Sequence, residues 1–436
     1  MNQNAPRAAV YTLGCRVNQY ESDAVEAELE SLGFSVVPFS SAADVYIINT
    51  CAVTAESERK SRQIIRRART ANPDAYILVM GCFSQIKSQA VEKIAGVNYV
   101  CGNRNKLSVA EMALKLLREG KKSEVCASVA DVESAPLEKM SIPHAYRDRS
   151  YIKVEDGCDN HCTYCIIKKA RGNVVSRPPE EVLDEVAVIA RGGCHEVVLT
   201  GIEAAAYGKD LGGYPLSRLM AQAAKVEGIE RVRAGSLEPS VMKPMFCDEL
   251  AAEKKIMPSF HLSLQSGSNA ILAAMKRKYN REQVLKNVEY MKSVIPGVTF
   301  TCDIIVGFPG ETEEDFQDTV DIARRIDFLH MHIFPFSPRE GTPAAQMKNQ
   351  IPEDVKRERA HRLEAIGCEL SRARYERALG EIRTVLFESR DGDYFFGHAE
   401  DMLEIYMKTT ENLQGQILRV RLTEYDGERM IAVPME

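Results

Sequence analysis

No stretch of the 436 residues approaches the ~20 consecutive apolar residues that a membrane-crossing helix requires. The opening, MNQNAPRAAVYTLGCR, lacks the positively charged region followed by an apolar core that marks an exported chain. A cytoplasmic location with no membrane contact is therefore expected. A positive charge excess is missing too: 56 Lys+Arg stand against 62 Asp+Glu, a net charge of −6. Any contact with nucleic acid must then come from local basic patches and not from overall attraction. The hydrophobic content of 45% and charged content of 27% are those of an ordinary globular protein. The length suffices for two or three domains with proper cores. Cysteine, by contrast, is plentiful. Twelve cysteines in a reducing compartment read as metal ligands and buried thiols, not as a disulfide framework.

Three of them stand in GCDNHCTYC. Cys158, Cys162 and Cys165 have the spacing Cys-x-x-x-Cys-x-x-Cys, with no fourth cysteine close behind. A structural zinc site wants four protein ligands, usually in two paired clusters. A cubane [4Fe–4S] cluster instead has four irons, each needing a ligand beyond its sulfides. Three thiolates leave one iron open, where a small molecule can bind and receive an electron. His161 lies between the cysteines, but a neighbour of Cys162 cannot readily reach the metal that Cys162 holds.

The chain divides by pattern. Over residues 1–125 the apolar runs AAVYTLG, VYIIN, YILVM and VNYV alternate with polar-faced helical stretches. In YESDAVEAELESLG, for example, Val25, Leu29 and Leu32 share a face. Such alternation predicts an open, mostly parallel α/β domain. Cys15, Cys51 and Cys82 each fall just past one of these strands. The carboxyl ends of strands converge on the ligand crevice of an open α/β sheet, so the three can meet there. Cys101 follows the fourth strand and is read as a buried thiol. Residues 126–145 lack periodicity and read as a linker. Residues 146–375 alternate again, with YIKV, HEVVLT, RVRAGS, FHLSLQS, TFTCDIIVG and HMHIFPF as six strands. Six right-handed βα units make a partial (βα)6 barrel, with functional groups at the carboxyl ends of its strands. The Cys158 loop follows the first. Residues 376–436 carry five short β segments, expected to form a small OB-like β-barrel. From Arg377 onward 7 Lys+Arg face 12 Asp+Glu, a formal −5, which makes this barrel a poor general RNA clamp. Tyr394, Phe395 and Phe396 could stack on bases, although core packing is the commoner role. Arg59, Arg62, Arg66 and Arg69 recur at helical spacing just after Cys51, a basic stripe suited to RNA phosphates. Lys276, Arg277 and Lys278 offer a second basic patch.

The Cys-x-x-x-Cys-x-x-Cys spacing resembles that of the radical S-adenosylmethionine (SAM) enzymes. Together with the α/β domain before it and the β-barrel after it, similar to a TRAM domain, the whole chain resembles the methylthiotransferases. TLGCRVNQYESD is similar to the tRNA N6-threonylcarbamoyladenosine branch. The isopentenyladenosine branch reads closer to TYGCQMN, and the ribosomal-protein branch closer to SLGCPKN. The stretches LTGIEAAAYG, GSLEP, HLSLQSGSNAILAAMKRKY, DIIVGFPGET and FPFSPREGTPAA agree.

The resemblance implies two [4Fe–4S] clusters, one on Cys158, Cys162 and Cys165 that binds SAM, and a second on Cys15, Cys51 and Cys82 that handles the inserted sulfur. It further implies that Gly201, Glu203, Glu238 and Gln265 line the SAM pocket. Reductive cleavage of SAM would yield a deoxyadenosyl radical able to remove the unactivated hydrogen on carbon 2 of adenine, which no protein acid or base can take. The implied reaction adds a methylthio group to N6-threonylcarbamoyladenosine in the tRNA anticodon loop. Its partners would be that loop, a flavodoxin- or ferredoxin-like electron donor, and a sulfur donor that no motif specifies. The chain departs from the family pattern at Lys168 and Lys169, where a proline and an aromatic are usual, and at Glu203, where Asn or His is commoner. Alternative readings are action on isopentenyladenosine or on a ribosomal-protein aspartate. From another class, a non-catalytic iron–sulfur RNA-binding or redox-sensing protein remains open.

Overall fold

A computed structural model describes residues 5–120 and 125–435. The first body is a parallel sheet whose strands lie in the order Ser35–Val36, Arg7–Thr12, Val45–Thr50, Tyr76–Gly81, Val97–Cys101, Cys126–Ser128. Val45–Thr50 and Tyr76–Gly81 are buried along their whole length. Helices cover both faces and leave an apolar core on each, which is why these strands read as unbroken apolar runs. The first helix, Arg16–Ser31, buries Val25 and Leu29, while Leu32 caps its end. One expectation is revised. Cys126–Ser128, placed in the linker by sequence, adds in parallel to Val97–Cys101 as the sixth strand. Three half-exposed residues carry no periodicity by which a strand could be recognised.

The second body holds the six anticipated strands, all parallel and neighbours in chain order: Arg149–Lys153, Glu196–Thr200, Arg231–Ala234 continued as Ser236–Leu237, Ser259–Gln265, Thr299–Val306 and His330–Pro335. Burial alternates along Ser259–Gln265 and Thr299–Val306. With period two, His261, Ser263 and Gln265 share one face with Thr301 and Asp303, toward the barrel interior. Helices Pro179–Arg191, Arg281–Val294 and Glu313–Ile326 pack outside. The last two begin in capping boxes at Asn280 and Thr312.

The long helix Glu353–Arg377 leads to a closed five-stranded barrel built from Ile382–Asp391, Tyr394–Ala399, Glu404–Lys408, Ile417–Tyr425 and Met430–Pro434. Phe395 belongs to its core, while Phe396 packs edge-on against His398. This barrel docks on the amino ends of the parallel strands, opposite the cysteine loops. Arg231 donates to the Thr384 and His398 carbonyls, Arg233 to those of Ala399 and Glu400, and Arg149 reaches Glu388. Glu196 sits buried beneath all three arginines. Burial alone would raise its carboxyl, but Arg233, Arg149 and Arg231 outweigh that and hold it at about 2.

The first two bodies meet through a fully buried ion network. Arg171 donates to both Glu21 oxygens at 2.8 and 3.0 Å and to Asp156 at 3.0 Å. Lys153 reaches Glu21 at 3.0 Å, and Lys106 also pairs with it. Burial pushes the Glu21 carboxyl up, but Arg171, Lys106 and Lys153 hold it well below the usual carboxylate range.

Glu21→Ala would leave these three cations buried without their shared partner. A loss of about 3–5 kcal/mol in unfolding free energy is expected, read from urea titration, and an unchanged midpoint would refute the network's structural role. Glu196 gives a pH signature. Its folded value of about 2 lies below the ~4.3 of an unfolded chain. The stabilisation is therefore complete above that upper value and lost as pH falls through the window between them, about 3 kcal/mol in all. Melting curves between pH 5 and 2 should show a slope that Glu196→Gln flattens.

Candidate active site

Cys15, Cys51 and Cys82 follow three adjacent strands, so their loops converge at one edge of the sheet. Cys15 caps the helix Arg16–Ser31, Cys51 directly follows Val45–Thr50, and Cys82 opens the short helix after Gly81. Asn18 ties two of the loops, donating to the Leu13 and Thr50 carbonyls at 2.7 and 3.1 Å. Gly14, in the left-handed region at φ +104°, lies so close that a Cβ there would stand 3.2 Å from the Cys51 sulfur. A Cβ on Gly81 would fall 2.5 Å from the Thr50 carbonyl oxygen. Both positions need glycine for the sulfurs to approach. Cys51 and Cys82 are buried and Cys15 is open. Burial, then the neighbouring Cys82, pushes the Cys51 thiol up to about 11. Cys101, one strand further, is buried and donates to Asn105, as the sequence suggested.

The second triad occupies the loop after the first barrel strand. Backbone N–H groups point at two of its sulfurs: Asn160 donates to Cys158 and Ile167 to Cys165, each at 3.4 Å. The Arg277 guanidinium donates to the Cys162 sulfur at 3.2 Å. N–H donors around clustered sulfurs are what a thiolate-held iron–sulfur cluster needs from its surroundings, so the donor set fits one. Burial and the Glu203 carboxylate push Cys158 up to about 12, and burial pushes Cys165 up to about 11. These thiols hold their protons at neutral pH until a metal displaces them.

Of the residues expected at SAM, two come together beside this triad. Asn160 donates to Glu203 at 2.9 Å and to Glu238 at 3.3 Å, and Glu203 lies 3.9 Å from the Cys158 sulfur. Burial and the Glu238 charge raise Glu203 to about 7. Gly201 has no room for a side chain, since a Cβ would fall 2.0 Å from a Glu155 oxygen. Gln265 ends its strand in the left-handed conformation at φ +67°. Lys169 is tied to the Gly341 carbonyl at 2.6 Å, which accounts for one of the unusual lysines.

A cavity of about 880 Å³ separates the two bodies. Gly14, Cys15, Cys51 and Lys60 line one side; Gly201, Ser236, His261, Asp303 and His332 line the other. The arginine stripe lies beyond it. Arg62 and Arg66 flank a shallow pocket with Lys93, Arg59 is paired with Glu56, and Arg69 is turned to the Pro73 carbonyl. At the cavity itself the cations are Arg16 and Lys60, which the sequence did not single out. Arg277 points inward to Cys162, so residues 276–278 are not one surface patch. Asn160 was missed, because a lone amide carries no spacing signal, and Arg277 was read only as part of a surface patch, because its basic neighbours mask its inward turn.

A partial parallel barrel with a Cys-x-x-x-Cys-x-x-Cys loop at its carboxyl end defines a radical SAM enzyme. Residues 152–323 match the radical SAM superfamily and residues 7–102 match the uncharacterized protein family UPF0004. The chain is 37% identical, over 95% of its length and 93% of the relative's, to threonylcarbamoyladenosine tRNA methylthiotransferase MtaB of Bacillus subtilis. It is 35% identical, over 95% of its length and 96% of the relative's, to tRNA-2-methylthio-N(6)-dimethylallyladenosine synthase of Carboxydothermus hydrogenoformans. The fold resembles the radical SAM methyltransferase TsrM of Kitasatospora setae at a TM-score of 0.55 and 17% identity, covering 78% of this chain and 77% of that one. The chain belongs to the radical SAM tRNA methylthiotransferase family. No helix among the described residues is long and apolar enough to cross a membrane.

Arg277→Gln removes a charged donor from the Cys162 sulfur. The reduction potential of a [4Fe–4S] cluster held by Cys162 should fall, and its iron should be lost to a chelator about tenfold more readily. Potentiometric electron paramagnetic resonance checks the first and chelator titration the second; wild-type values in both would show that the contact is packing alone.

Proposed function

We propose that this enzyme adds a methylthio group to carbon 2 of N6-threonylcarbamoyladenosine beside the tRNA anticodon. The observation that carries the reading is the single cavity bounded by Cys15 and Cys51 on one side and by the barrel's strand ends on the other. A base entering it meets Cys15 and Cys51 on one side and, on the other, Gly201, two residues before the Glu203 that lies beside Cys158. On this reading Cys158, Cys162 and Cys165 hold one [4Fe–4S] cluster, and Cys15, Cys51 and Cys82 the other. When bound, the clusters and SAM supply the electron, the radical that takes the carbon 2 hydrogen, and the sulfur.

The chain's own residues do the placing. Asn160 fixes Glu203 and Glu238 beside Cys158, where a carboxylate can accept from the SAM ammonium. Gly201 keeps the adjoining wall free of side chains, and Gln265 closes the next strand end. Lys60 lies where a phosphate of the loop would pass, with Arg62 and Arg66 further along the same helix. The body that runs through the Cys126–Ser128 strand acts as the sulfur-handling domain, residues 146–375 as the radical SAM barrel and 376–436 as a TRAM-like β-barrel, with 129–145 as the connection. A flavodoxin- or ferredoxin-like protein supplies electrons in the cytoplasm. The relatives named for threonylcarbamoyladenosine support this substrate over dimethylallyladenosine.

Nucleoside mass spectrometry of tRNA from cells with and without the gene tests the reading. Loss of 2-methylthio-threonylcarbamoyladenosine, with its unthiolated precursor accumulating, is expected; unchanged levels would exclude this substrate. In the purified enzyme, Cys158→Ala should abolish deoxyadenosine formation, whereas Cys82→Ala should retain it and lose thiolation. If both variants lost SAM cleavage alike, the division of labour between the two triads would be wrong.

A further inference from the structure

The mechanism above leaves one group of cavity residues unused. His261, Asp303 and His332 stand on three neighbouring barrel strands, with their nitrogen and oxygen atoms within 4.8 Å of one another. All three line the cavity, and so does Arg16, the residue after Cys15. His261 is already committed: one ring nitrogen meets the Thr301 hydroxyl at 2.8 Å and the other the Asp303 carboxylate at 3.2 Å. That leaves the second Asp303 oxygen, the His332 ring and the Arg16 guanidinium facing the cavity. His332 stacks edge-on against His330, and its nitrogens have no hydrogen-bond partner among the described residues. Arg16 has no carboxylate partner among them either; its guanidinium lies 5.8 Å from the Tyr151 ring.

We propose that Arg16, His332 and Asp303 form the subsite that reads the N6 substituent of the target adenosine, a polar group bearing a carboxylate, a hydroxyl and N–H donors. The proposal rests on the substrate assigned above and names the residues that would enforce it. Arg16 takes the carboxylate, which a guanidinium matches in charge and shape. Asp303 accepts from an N–H or the hydroxyl, oriented by His261. His332 offers one donor and one acceptor as a neutral imidazole, its ring pKa pushed down by partial burial and then by the adjacent His330. A dimethylallyl group can satisfy none of these. Seating it would desolvate a cation, a carboxylate and an imidazole with nothing to pair them, and sites built from such groups reject apolar analogues strongly. Arg16 directly follows Cys15, so the substituent and the sulfur-handling triad meet the same base. A divalent ion on the two histidines and Asp303 is the competing occupant, but it would have to break the contacts that His261 already makes.

The test uses the full-length, cluster-loaded protein and three anticodon stem-loops that differ only at the target adenosine: threonylcarbamoylated, dimethylallylated and unmodified. Binding is read by fluorescence anisotropy. The wild type should prefer the threonylcarbamoylated loop, and Arg16→Gln and His332→Leu should each weaken that loop about tenfold, bringing it toward the unmodified one. Affinity for the unmodified loop, together with iron content, reports that each variant is folded and loaded. Equal weakening of all three loops, or none, would overturn the subsite. So would a divalent metal beyond the cluster iron that His332→Leu removes. A wild type that prefers the dimethylallylated loop would instead defeat the substrate reading itself, and the subsite with it.

Discussion

The geometry of this enzyme depends on a buried charge network between its first two bodies. Arg171, Lys153, Lys106, Glu21 and Asp156 are buried, and Arg104 approaches Asp156 at 3.9 Å. Such a network adds little stability over an apolar core, but losing one member is costly. Its value is in location. Glu21 sits one turn into the helix that Cys15 caps, Asp156 lies two residues before Cys158, and Arg171 closes the loop of the second triad. The ion pairs therefore fix the separation and facing of the two cysteine sets, which hydrophobic packing alone would allow to slide.

The same network explains the run NQYESD. Asn18 secures the Cys15 and Cys51 loops, and Tyr20 donates to the Met140 carbonyl and to Glu185. Glu21 anchors the cations, and Ser22 is bonded to Thr12 and Asn49. None of these four side chains lines the large cavity. What resembles a catalytic signature is the fastening of one body to the next.

Much of the architecture was legible because the relevant signals are local. Apolar runs bounded by cysteine or glycine marked the strands, and 3.6-residue periodicity marked the first helix, Arg16–Ser31. The three-cysteine spacing marked the radical SAM loop, and strand-end placement singled out the more scattered triad. What escaped were features created by tertiary proximity. His261, Asp303 and His332 stand tens of residues apart and share a face only because neighbouring strands run in register. Arg277 reads as a surface charge in MKRKY yet turns inward, since Cys162, Glu238 and the Ser263 carbonyl together offer it more than solvent does. The arginine stripe was inferred from spacing, which reports a helical face but not the carboxylates and carbonyls that its members meet.

The closed β-barrel at the amino ends of the parallel strands has a consequence for the direction of approach. The segment from Arg377 onward, which forms it, carries a formal −5 and lies on the opposite side of the second body from the cavity lined by Arg16 and Lys60. At physiological salt charge is screened within ~8 Å, so the groups at each end act on an approaching polyanion separately. An anion approaching the cavity therefore meets Arg16 and Lys60 without first crossing the barrel's carboxylates.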